Sequence, residues 1–378
     1  MQIQENAFSR WGEQRHQSWL IRSAHLDPPM LFALIALSFT GLAILYSASN
    51  QDLDLVLRQL VRVGLAFAAM LIIAQIHPNQ LRRWSPWLAT IGVVLLIAVA
   101  VAGDIGKGAQ RWLDLGLFRF QPSEIMKLAL PMVVAWYFAD RALPPSLKHL
   151  CVSAILIAIP TGLIVKQPDL GTSVLIASAG LFVVFLSGIS WRLIGFFTVL
   201  FASCLPLVWL NMHDYQKTRV LTFLNPESDP LNSGYHIIQS KIAIGSGGLF
   251  GKGFLNGTQS HLEFLPERST DFVFSAFAEE LGLVGGLLLL SLYLFIVIRG
   301  LVIATQAQDT YTRLLAGSLT LTFFVYVFVN IGMVSGLLPV VGLPLPLMSY
   351  GGTSMVTIMA AFGVLMSIHT HKKMIRNT

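Results

Sequence analysis

Residues 170 to 212 read LGTSVLIASAGLFVVFLSGISWRLIGFFTVLFASCLPLVWLNM, and Arg192 is the only charged residue among them. A membrane-spanning helix needs about 20 consecutive apolar residues at a rise of 1.5 Å per residue. The stretch holds two such segments, Leu170 to Ser190 and Leu193 to Met212, with the arginine in the turn between them. It therefore predicts an integral membrane protein.

Apolar stretches of the same kind fill most of the remaining chain. The other uncharged ones are Met30 to Ala48, Trp84 to Gly103, Leu281 to Ile298, Leu314 to Leu338 and roughly Gly342 to Ile368. Three more carry charges at their ends or inside, namely Leu55 to Ile76, Glu124 to Phe138 and His149 to Val165. The sequence thus predicts an all-α integral membrane protein of about ten transmembrane helices.

The composition supports this fold class. Hydrophobic residues make up 54% and charged residues 12% of the chain, and this charged share is roughly half that of a soluble domain. The net charge of +6 comes from scattered residues, so the chain is not expected to bind nucleic acid. Cys151 and Cys204 both fall in apolar segments, which argues against a disulfide framework or a zinc site.

One long interruption divides the membrane domain. The predicted organisation is an N-terminal tail at 1–29, a membrane domain at 30–368 and a C-terminal tail at 369–378. A large loop, about 212–270, separates the seventh and eighth helices. No short apolar core with a cleavage site precedes the first long run, so the first helix is expected to be an uncleaved anchor.

The distribution of basic residues predicts the orientation. An even number of helices places both termini on one side, and cytoplasmic connections carry an excess of Lys and Arg. Cytoplasmic termini would place thirteen basic residues inside: Arg10, Arg15, Arg22, Arg82, Arg83, Arg141, Lys148, Arg192, Arg299, Arg313, Lys372, Lys373 and Arg376. The short outer connections would hold only Lys107, Arg111, Arg119 and Lys166, with Arg58 and Arg62 near that surface. We therefore expect a multi-pass membrane protein with cytoplasmic termini and an extracytoplasmic 212–270 loop.

The connection KGAQRWLDLGLFRFQPSEIMK, residues 107 to 127, is a candidate headgroup site. Arg111 and Arg119 lie on a side that the charge rule would leave neutral, and the planar fork of arginine suits phosphate oxygens. Lipid-contacting basic residues are the alternative. Gln121 begins the next helix with Ser123 as a candidate N-cap.

Glu124 and Lys127 lie three residues apart, so they share one face of that helix. Charges at membrane depth usually face an interior and pair with each other. A structural ion pair and a substrate contact both remain open for them.

Asp169 lies in the tight turn KQPDLGTS, residues 166 to 173. A carboxylate at the membrane surface is a candidate substrate ligand, while a turn-forming aspartate is the structural alternative.

The large loop contains GYHIIQSKIAIGSGGLFGKGFLNG, residues 234 to 257. The isoleucine spacing predicts a short amphipathic helix, with Lys241 on it. The following glycines would let backbone approach a ligand, but the stretch has no nucleotide-binding pattern.

Asp271 stands where the large loop enters the eighth helix, in FLPERSTDFVFSAFAEELG. A carboxylate beside an apolar wall is a candidate base, and a helix cap is the alternative. Glu279 and Glu280 follow about two turns deeper. Pairing with Lys127 or an arginine is the structural expectation for them.

The stretch VSGLLPVVGLPLPLMSYGGTSM, residues 334 to 355, contains three prolines and several glycines. Broken helix geometry at membrane depth is tolerated only where protein covers it or where it lines a cavity. Ser349 and Tyr350 would supply polar groups to such a cavity, although a kink without a ligand is equally compatible.

Taken together, these motifs resemble the SEDS family, in particular its RodA branch, from about residue 25 to the C-terminal HTHKK. The strings that carry the resemblance occur in the family's order and are GAQRWLDLG, RFQPSEI, QPDLGTS, PESDPL, GYHIIQSKIAIGSGGL, LPERSTDF, AEELG, NIGMVSGLLPVVGLPLP and SYGG. The division branch, FtsW, shares many of them.

The resemblance implies a peptidoglycan glycosyltransferase with ten helices that polymerises lipid II during cell elongation. It implies that Asp271 is the essential carboxylate, with Arg111 and Arg119 among the essential cations. It also implies a class B penicillin-binding protein as partner, beside other membrane proteins of the elongation complex. No tightly bound cofactor is expected, and the metal site is unknown.

The chemistry of such a transfer fits this inventory. The acceptor hydroxyl needs a base, whereas a pyrophosphate leaves without a proton once its charge is neutralised. One carboxylate with cations, or with Mg²⁺ or Mn²⁺, therefore suffices. A lipid II flippase and a non-catalytic scaffold are the competing functions.

Overall fold

The computed structural model describes residues 25–106, 109–114, 119–212, 214–228, 233–258 and 269–371. Helices make up nearly all of this part. In chain order they are α1 (Pro28–Ala48), α2 (Leu53–Ala74), α3 (Pro78–Ala102), α4 (Pro122–Phe138), α5 (Leu147–Lys166), α6 (Leu170–Leu186), α7 (Trp191–Asn211), α8 (Asp214–Leu224), α9 (Ser233–Ser246), α10 (Val273–Thr305), α11 (Thr310–Val334) and α12 (Thr353–Thr370). The predicted all-α class is thus confirmed, with one small sheet as an addition.

Seven of these helices, α1 to α3, α5 and α10 to α12, are long and apolar enough to cross a membrane. Helix α6 is apolar but shorter. The count of about ten spans, which also needs α4, α6 and α7, stays a prediction. The expected amphipathic helix of the large loop is present as α9.

Helix α11 lies at the centre of the bundle and packs against α4, α6, α10 and α12. Helices α2 and α3 lie at the periphery and are the least buried of the apolar helices. Their outward faces carry large apolar side chains such as Leu57, Val61 and Leu65. In a bilayer these faces contact lipid tails, so their exposure carries no penalty.

A small antiparallel sheet that the sequence analysis did not predict joins α3 to α4. It consists of β1 (Asp104–Gly106), β2 (Ala109–Asp114) and β3 (Arg119–Phe120). Strand β2 pairs on both sides, with Trp112 opposite Asp104 and Leu113 opposite Phe120. Strands this short give no reliable periodic signal.

Helix α10 is broken at Gly282, whose φ of 65° and ψ of −163° only glycine adopts readily. The backbone of the glycine-rich stretch covers the break: the Leu283 amide donates to the Gly248 carbonyl at 3.0 Å, and the Val284 amide to the Leu249 carbonyl at 3.1 Å. A Cβ at Gly251 would lie 2.0 Å from the Glu280 carbonyl oxygen. The glycines therefore permit close approach to a helix, where the sequence suggested approach to a ligand.

The chain between α11 and α12, residues 335–352, is irregular, although its central side chains are buried. The apolar run that begins near Gly342 becomes helical only at Thr353. Helix α1 covers part of it, since a Cβ at Gly41 would lie 2.6 Å from the Leu347 carbonyl oxygen. The expectation that protein covers this break is confirmed.

Two faces close the ends of the bundle. The Asp271 face contains the ends of α1, α3, α5 and α11 and the starts of α2, α4, α6, α10 and α12. The His371 face contains the starts of α1, α3, α5 and α11 and the ends of α2, α4, α6, α10 and α12. There, the Arg299 guanidinium pairs with the Asp27 carboxylate at 2.7 Å, and the rings of His25 and His371 stack with centroids 3.9 Å apart.

Candidate functional site

Asp271 lies immediately before α10, whose N-cap position is Phe272. The Asn330 amide of α11 donates to the Asp271 carbonyl at 2.9 Å and to the Leu343 carbonyl at 2.7 Å. One side chain of the central helix thus fixes the backbone of Asp271 and the irregular 335–352 segment together.

Ser349 makes a second connection between the same two segments. Its hydroxyl donates to the Thr270 carbonyl at 2.6 Å and accepts from the Leu345 amide at 2.7 Å. The Tyr350 amide donates to the Ser269 carbonyl at 2.7 Å. Ser349 therefore positions the backbone before Asp271, and its hydroxyl is occupied by two protein partners.

A second cluster forms around Asp169 at the start of α6. Its carboxylate accepts from the Thr172 amide at 3.2 Å, and its other oxygen lies 3.4 Å from the Gln121 amide nitrogen. The Arg111 guanidinium lies 3.7 Å from that same oxygen and donates to the Pro168 carbonyl at 2.6 Å. Asp169 is thus both a helix cap and the ion-pair partner of Arg111. The structural alternative is therefore observed, while its role as a substrate ligand stays a prediction.

The segment Val341–Leu343 joins the two clusters. A Cβ at Gly171, in the first turn of α6, would lie 2.7 Å from the Val341 carbonyl oxygen. On the neighbouring residue, a Cβ at Gly342 would lie 3.5 Å from the Asp271 Oδ2 atom. Asp271 and the Arg111–Asp169 pair therefore flank one short stretch of chain, although they come from distant parts of the sequence.

Glu124 and Lys127 form a buried ion pair at 2.7 Å in the first turns of α4. The Lys127 ammonium lies 5.3 Å from the centre of the Tyr326 ring, which packs with Leu175 and Leu343. The ion pair, one of the two alternatives, is therefore present, while a substrate contact stays a prediction. The prediction that Ser123 caps α4 is wrong, because the N-cap is Gln121 and proline occupies the next position.

The sequence predicts Lys127 or an arginine as the partner of Glu279 and Glu280, but Lys127 pairs with Glu124 instead. The Glu279 carboxylate pairs with the Lys252 ammonium at 2.6 Å and accepts from the Thr258 hydroxyl at 3.0 Å. The Glu280 carboxylate accepts a hydrogen bond from the Ser47 hydroxyl of α1. Both glutamates are fully buried, and they join α10 to the large loop and to α1.

Two predicted site residues are not brought to Asp271 by the contacts described here. Lys241 is exposed on α9, and its side chain lies against Gly336, at the start of the irregular segment. The backbone of Arg119 lies in β3, and its side chain falls outside the described part of the structure.

Three residues near the site were not among the predicted ones. Asn330 holds the Asp271 backbone, and the Gln59 side chain of α2 is buried and donates to the Ser349 carbonyl at 3.3 Å. The Arg62 guanidinium lies over the Tyr350 ring, 4.4 Å from its centre. An amide or guanidinium inside an otherwise apolar helix is the signal that would have found each of them.

A metal centre made by the protein alone is not evident in the described ranges. They contain no group of three or more His, Cys, Asp or Glu side chains arranged to hold a metal ion. Mg²⁺ is commonly bound by one or two carboxylates together with substrate phosphates.

Comparison with known proteins defines the class. The family model described as cell cycle protein, FTSW_RODA_SPOVE, matches residues 28–374. The chain belongs to this family of polytopic membrane proteins.

Individual relatives place it more closely. The peptidoglycan glycosyltransferase MrdB of Escherichia coli K12 is 58% identical over 352 residues, which cover 93% of this chain and 95% of that protein. The peptidoglycan glycosyltransferase RodA of Treponema pallidum is 31% identical and aligns with 92% of this chain and 98% of its own length.

Solved structures agree with this assignment. A chain from a peptidoglycan synthase complex, in which polymerization and crosslinking are coordinated, matches with a TM-score of 0.79 at 32% identity, covering 91% of this chain and 97% of that one. The rod shape determining protein RodA of Thermus thermophilus matches with a TM-score of 0.69 at 30% identity, over 91% and 96% of the two chains.

Proposed function

We propose that this protein is a peptidoglycan glycosyltransferase that polymerises lipid II into glycan strands during cell elongation. The observation that carries the proposal is the position of Asp271 beside Val341–Leu343, with the Arg111–Asp169 pair on the other side of that segment. A carboxylate and a cation held close together at one end of a membrane bundle suit a substrate that joins a sugar to a lipid pyrophosphate. The names of the relatives support the same reaction.

Asp271 acts as the general base. It takes the proton from the 4-hydroxyl of the acceptor sugar while that oxygen attacks the anomeric carbon of the donor sugar. A base within hydrogen-bonding distance of the hydroxyl is worth about 10²- to 10⁴-fold in rate. Hydrogen bonds from Asn330 and Ser349 fix the Asp271 backbone, so the carboxylate needs little reorganisation before it reacts.

The bond from the anomeric carbon to the pyrophosphate breaks as the new glycosidic bond forms. The lipid pyrophosphate leaves with its charge neutralised by cations, which removes the need for an acid. Arg111 is one candidate, and Asp169 holds its side chain in place. We expect Arg119 to contribute on the sequence resemblance. A divalent cation would enter with the substrate, held mainly by its phosphate oxygens.

The proposed setting is the bacterial inner membrane, with both termini cytoplasmic and the Asp271 face outward. The polyprenyl tails would remain in the bilayer while the sugars meet the Asp271 face. A class B penicillin-binding protein is the proposed partner, since one solved neighbour comes from a peptidoglycan synthase complex. Failure of the two proteins to co-purify from mild detergent would count against this partner.

Polymerisation of lipid II by the purified protein, with and without its partner, tests the function. We expect glycan strands from the wild type and a loss of about 10²- to 10⁴-fold in Asp271→Asn. A helix cap would tolerate this change because asparagine caps about as well as aspartate. Full activity in well-folded Asp271→Asn would return the flippase or scaffold function to first place.

A further inference from the structure

Arg62 is a charged residue at membrane depth that the mechanism above does not use. It lies nine residues into α2, which begins at Leu53 on the Asp271 face. At 1.5 Å per residue this is about 14 Å along the helix from its start. Ionisable side chains at such depth are costly and are normally paired or functional.

Among the described residues, Arg62 makes no ion pair. Its guanidinium carbon lies 4.4 Å from the centre of the Tyr350 ring, and its side chain also runs beside Gly352. Arg58 lies one turn earlier on the same face of α2 and is exposed. Like charges at this spacing repel each other, and Asp54, one further turn away, forms no ion pair with Arg58. An anionic ligand would relieve this repulsion.

Arg111 provides the contrast. Its guanidinium is already engaged by the Asp169 carboxylate and the Pro168 carbonyl. Stacking on a ring, in contrast, occupies only the flat face of a guanidinium. Within the described ranges, no partner occupies the N–H groups at the edge of Arg62, and such groups match phosphate oxygens in pairs.

The position of Arg62 also suits a lipid ligand. Tyr350 follows Ser349, whose hydroxyl holds the Thr270 carbonyl next to Asp271. On the adjacent, lipid-facing flank of the same helix, Val61 and Leu65 are 64% and 61% exposed. A polyprenyl chain could thus lie along α2 in the bilayer while its headgroup meets Arg62 at the edge of the site.

We propose that Arg62, stacked on Tyr350, binds the pyrophosphate of a polyprenyl-linked substrate or product. The proposal rests on the proposed function, because that reaction supplies polyprenyl pyrophosphates. It assigns the phosphate end of the site to the α2 side, whereas the sequence motifs pointed only to the 107–127 connection.

Direct binding to the purified full-length protein in detergent tests this, with farnesyl pyrophosphate, farnesol and inorganic pyrophosphate as probes. We expect the wild type to bind farnesyl pyrophosphate more tightly than either other probe. Arg62→Gln should weaken farnesyl pyrophosphate binding by about tenfold or more, the value of one or two charged hydrogen bonds, and leave farnesol binding unchanged. Arg83→Gln, which removes an exposed arginine of α3 on the His371 face, is the matched control and should bind as the wild type does.

Several results would overturn the assignment. One is unchanged farnesyl pyrophosphate affinity in Arg62→Gln, and another is a proportional loss of farnesol affinity, which would indicate a structural role. If the wild type bound inorganic and farnesyl pyrophosphate equally well, the polyprenyl chain would contribute nothing, and the site would bind a free anion and not a lipid. Should Arg62→Gln fail to fold, Arg62→Lys must still show weaker binding than the wild type, since it keeps the charge and loses the planar fork.

The catalytic proposal is tested separately by Asp271→Asn. This variant should keep farnesyl pyrophosphate binding while it loses polymerisation. Normal polymerisation of lipid II by Asp271→Asn would rule out Asp271 as the general base and would leave the proposed Arg62 site unaffected. Normal binding of farnesyl pyrophosphate by Arg62→Gln would rule out the Arg62 site and would leave the role of Asp271 as general base unaffected.

Discussion

The two ends of helix α10 are built differently. At the Asp271 end the helix is broken at Gly282, covered by the glycine-rich backbone and tied to the large loop through Glu279 and Lys252. At the His371 end it runs unbroken to Thr305, and its Arg299 pairs with Asp27. Both ends hold a buried carboxylate and a cation, yet irregular backbone accompanies only the end next to the site. Because ion pairs occur at both ends, we infer that they stabilise the packing of α10. The break at Gly282 occurs only at the Asp271 end, and we infer that it sets the direction of the short helical segment between Asp271 and Gly282.

The largest expected effect separates the aspartates at the two ends. Asp271→Asn should lower the polymerisation rate by about 10²- to 10⁴-fold, because it keeps the shape and removes the basicity. Asp27→Asn should lower stability and leave the rate per folded molecule unchanged. The polymerisation rate per folded molecule, with the folded fraction measured by size-exclusion chromatography, checks both expectations. Equal losses of rate in the two variants would contradict the different roles of Asp271 and Asp27.

The next effect concerns the break itself. Gly282→Ala would force a Cβ to within 2.3 Å of the Gly251 amide nitrogen at a positive φ, and it should cost about 3 kcal/mol or more. Gly286→Ala, one turn further along, meets nothing within 4 Å and should stabilise the helix by about 0.5–1 kcal/mol. Thermal unfolding in detergent compares the two, and similar melting temperatures would show that the break is not built as described.

The ion pairs allow a closer comparison. Removing the cation in Lys252→Ala or Arg299→Ala leaves a buried carboxylate without its charged partner, at a cost of about 3 kcal/mol in either case. We expect similar losses of stability, but only Lys252→Ala should also lower kcat, because it loosens the end next to Asp271. A kcat loss of the same size in Arg299→Ala would contradict this division of roles.

The smallest effect is a pH dependence confined to the His371 face. Burial lowers the pKa of His371 below its usual value, and nearby His25 and His77 lower it further. The hydrogen bond that the His371 ring donates to the Ser367 carbonyl raises the pKa but does not cancel this effect. The unfolded chain therefore binds a proton more readily than the folded one. This contribution to stability is present above about pH 6.5 and is lost as the pH falls below it.

Thermal unfolding of the wild type and of His371→Gln at pH 8 and pH 5.5 measures that contribution. The wild type should lose more stability on acidification than the variant does. Arg82 and Asp309 line the same surface cavity as His371, and other groups also titrate in this pH range. The test is therefore the difference between wild type and variant in the change of melting temperature on acidification. Identical shifts would contradict it.

Much of this architecture follows from the sequence, because long apolar runs predict helices whatever their partners. The Glu124–Lys127 pair was predictable for the same reason, since three residues on one helix fix its geometry. The ties around Asp271 were not, because Ser349 and Thr270 lie 79 residues apart and meet only in the folded bundle. Lys252 and Thr258 were missed as partners of Glu279 because they lie in the large loop, which folds onto α10, the helix that follows it.

The glycine-rich stretch shows the limit most clearly. Glycine signals close approach, but the sequence does not say of what. Only the packing reveals that Gly247 and Gly251 face the backbone of α10 and that Gly282 faces the backbone of the glycine-rich stretch. For Arg62 the limit is the opposite one. The sequence shows that Arg58 and Arg62 share one face of α2, but it does not show that Tyr350 lies against Arg62.

The meeting of residues 25 and 370 has a consequence for how the chain could be rearranged. The His25 ring nitrogen and the Thr370 hydroxyl lie 3.2 Å apart, so a short linker could join residue 371 directly to residue 25. New ends opened between α4 and α5, where the neighbouring Asp140 pairs with Arg82, would emerge on the same face. Such a circular permutant would keep every helix in its place and orientation. The order of the helices along the gene is therefore a separate property from their arrangement in the bilayer.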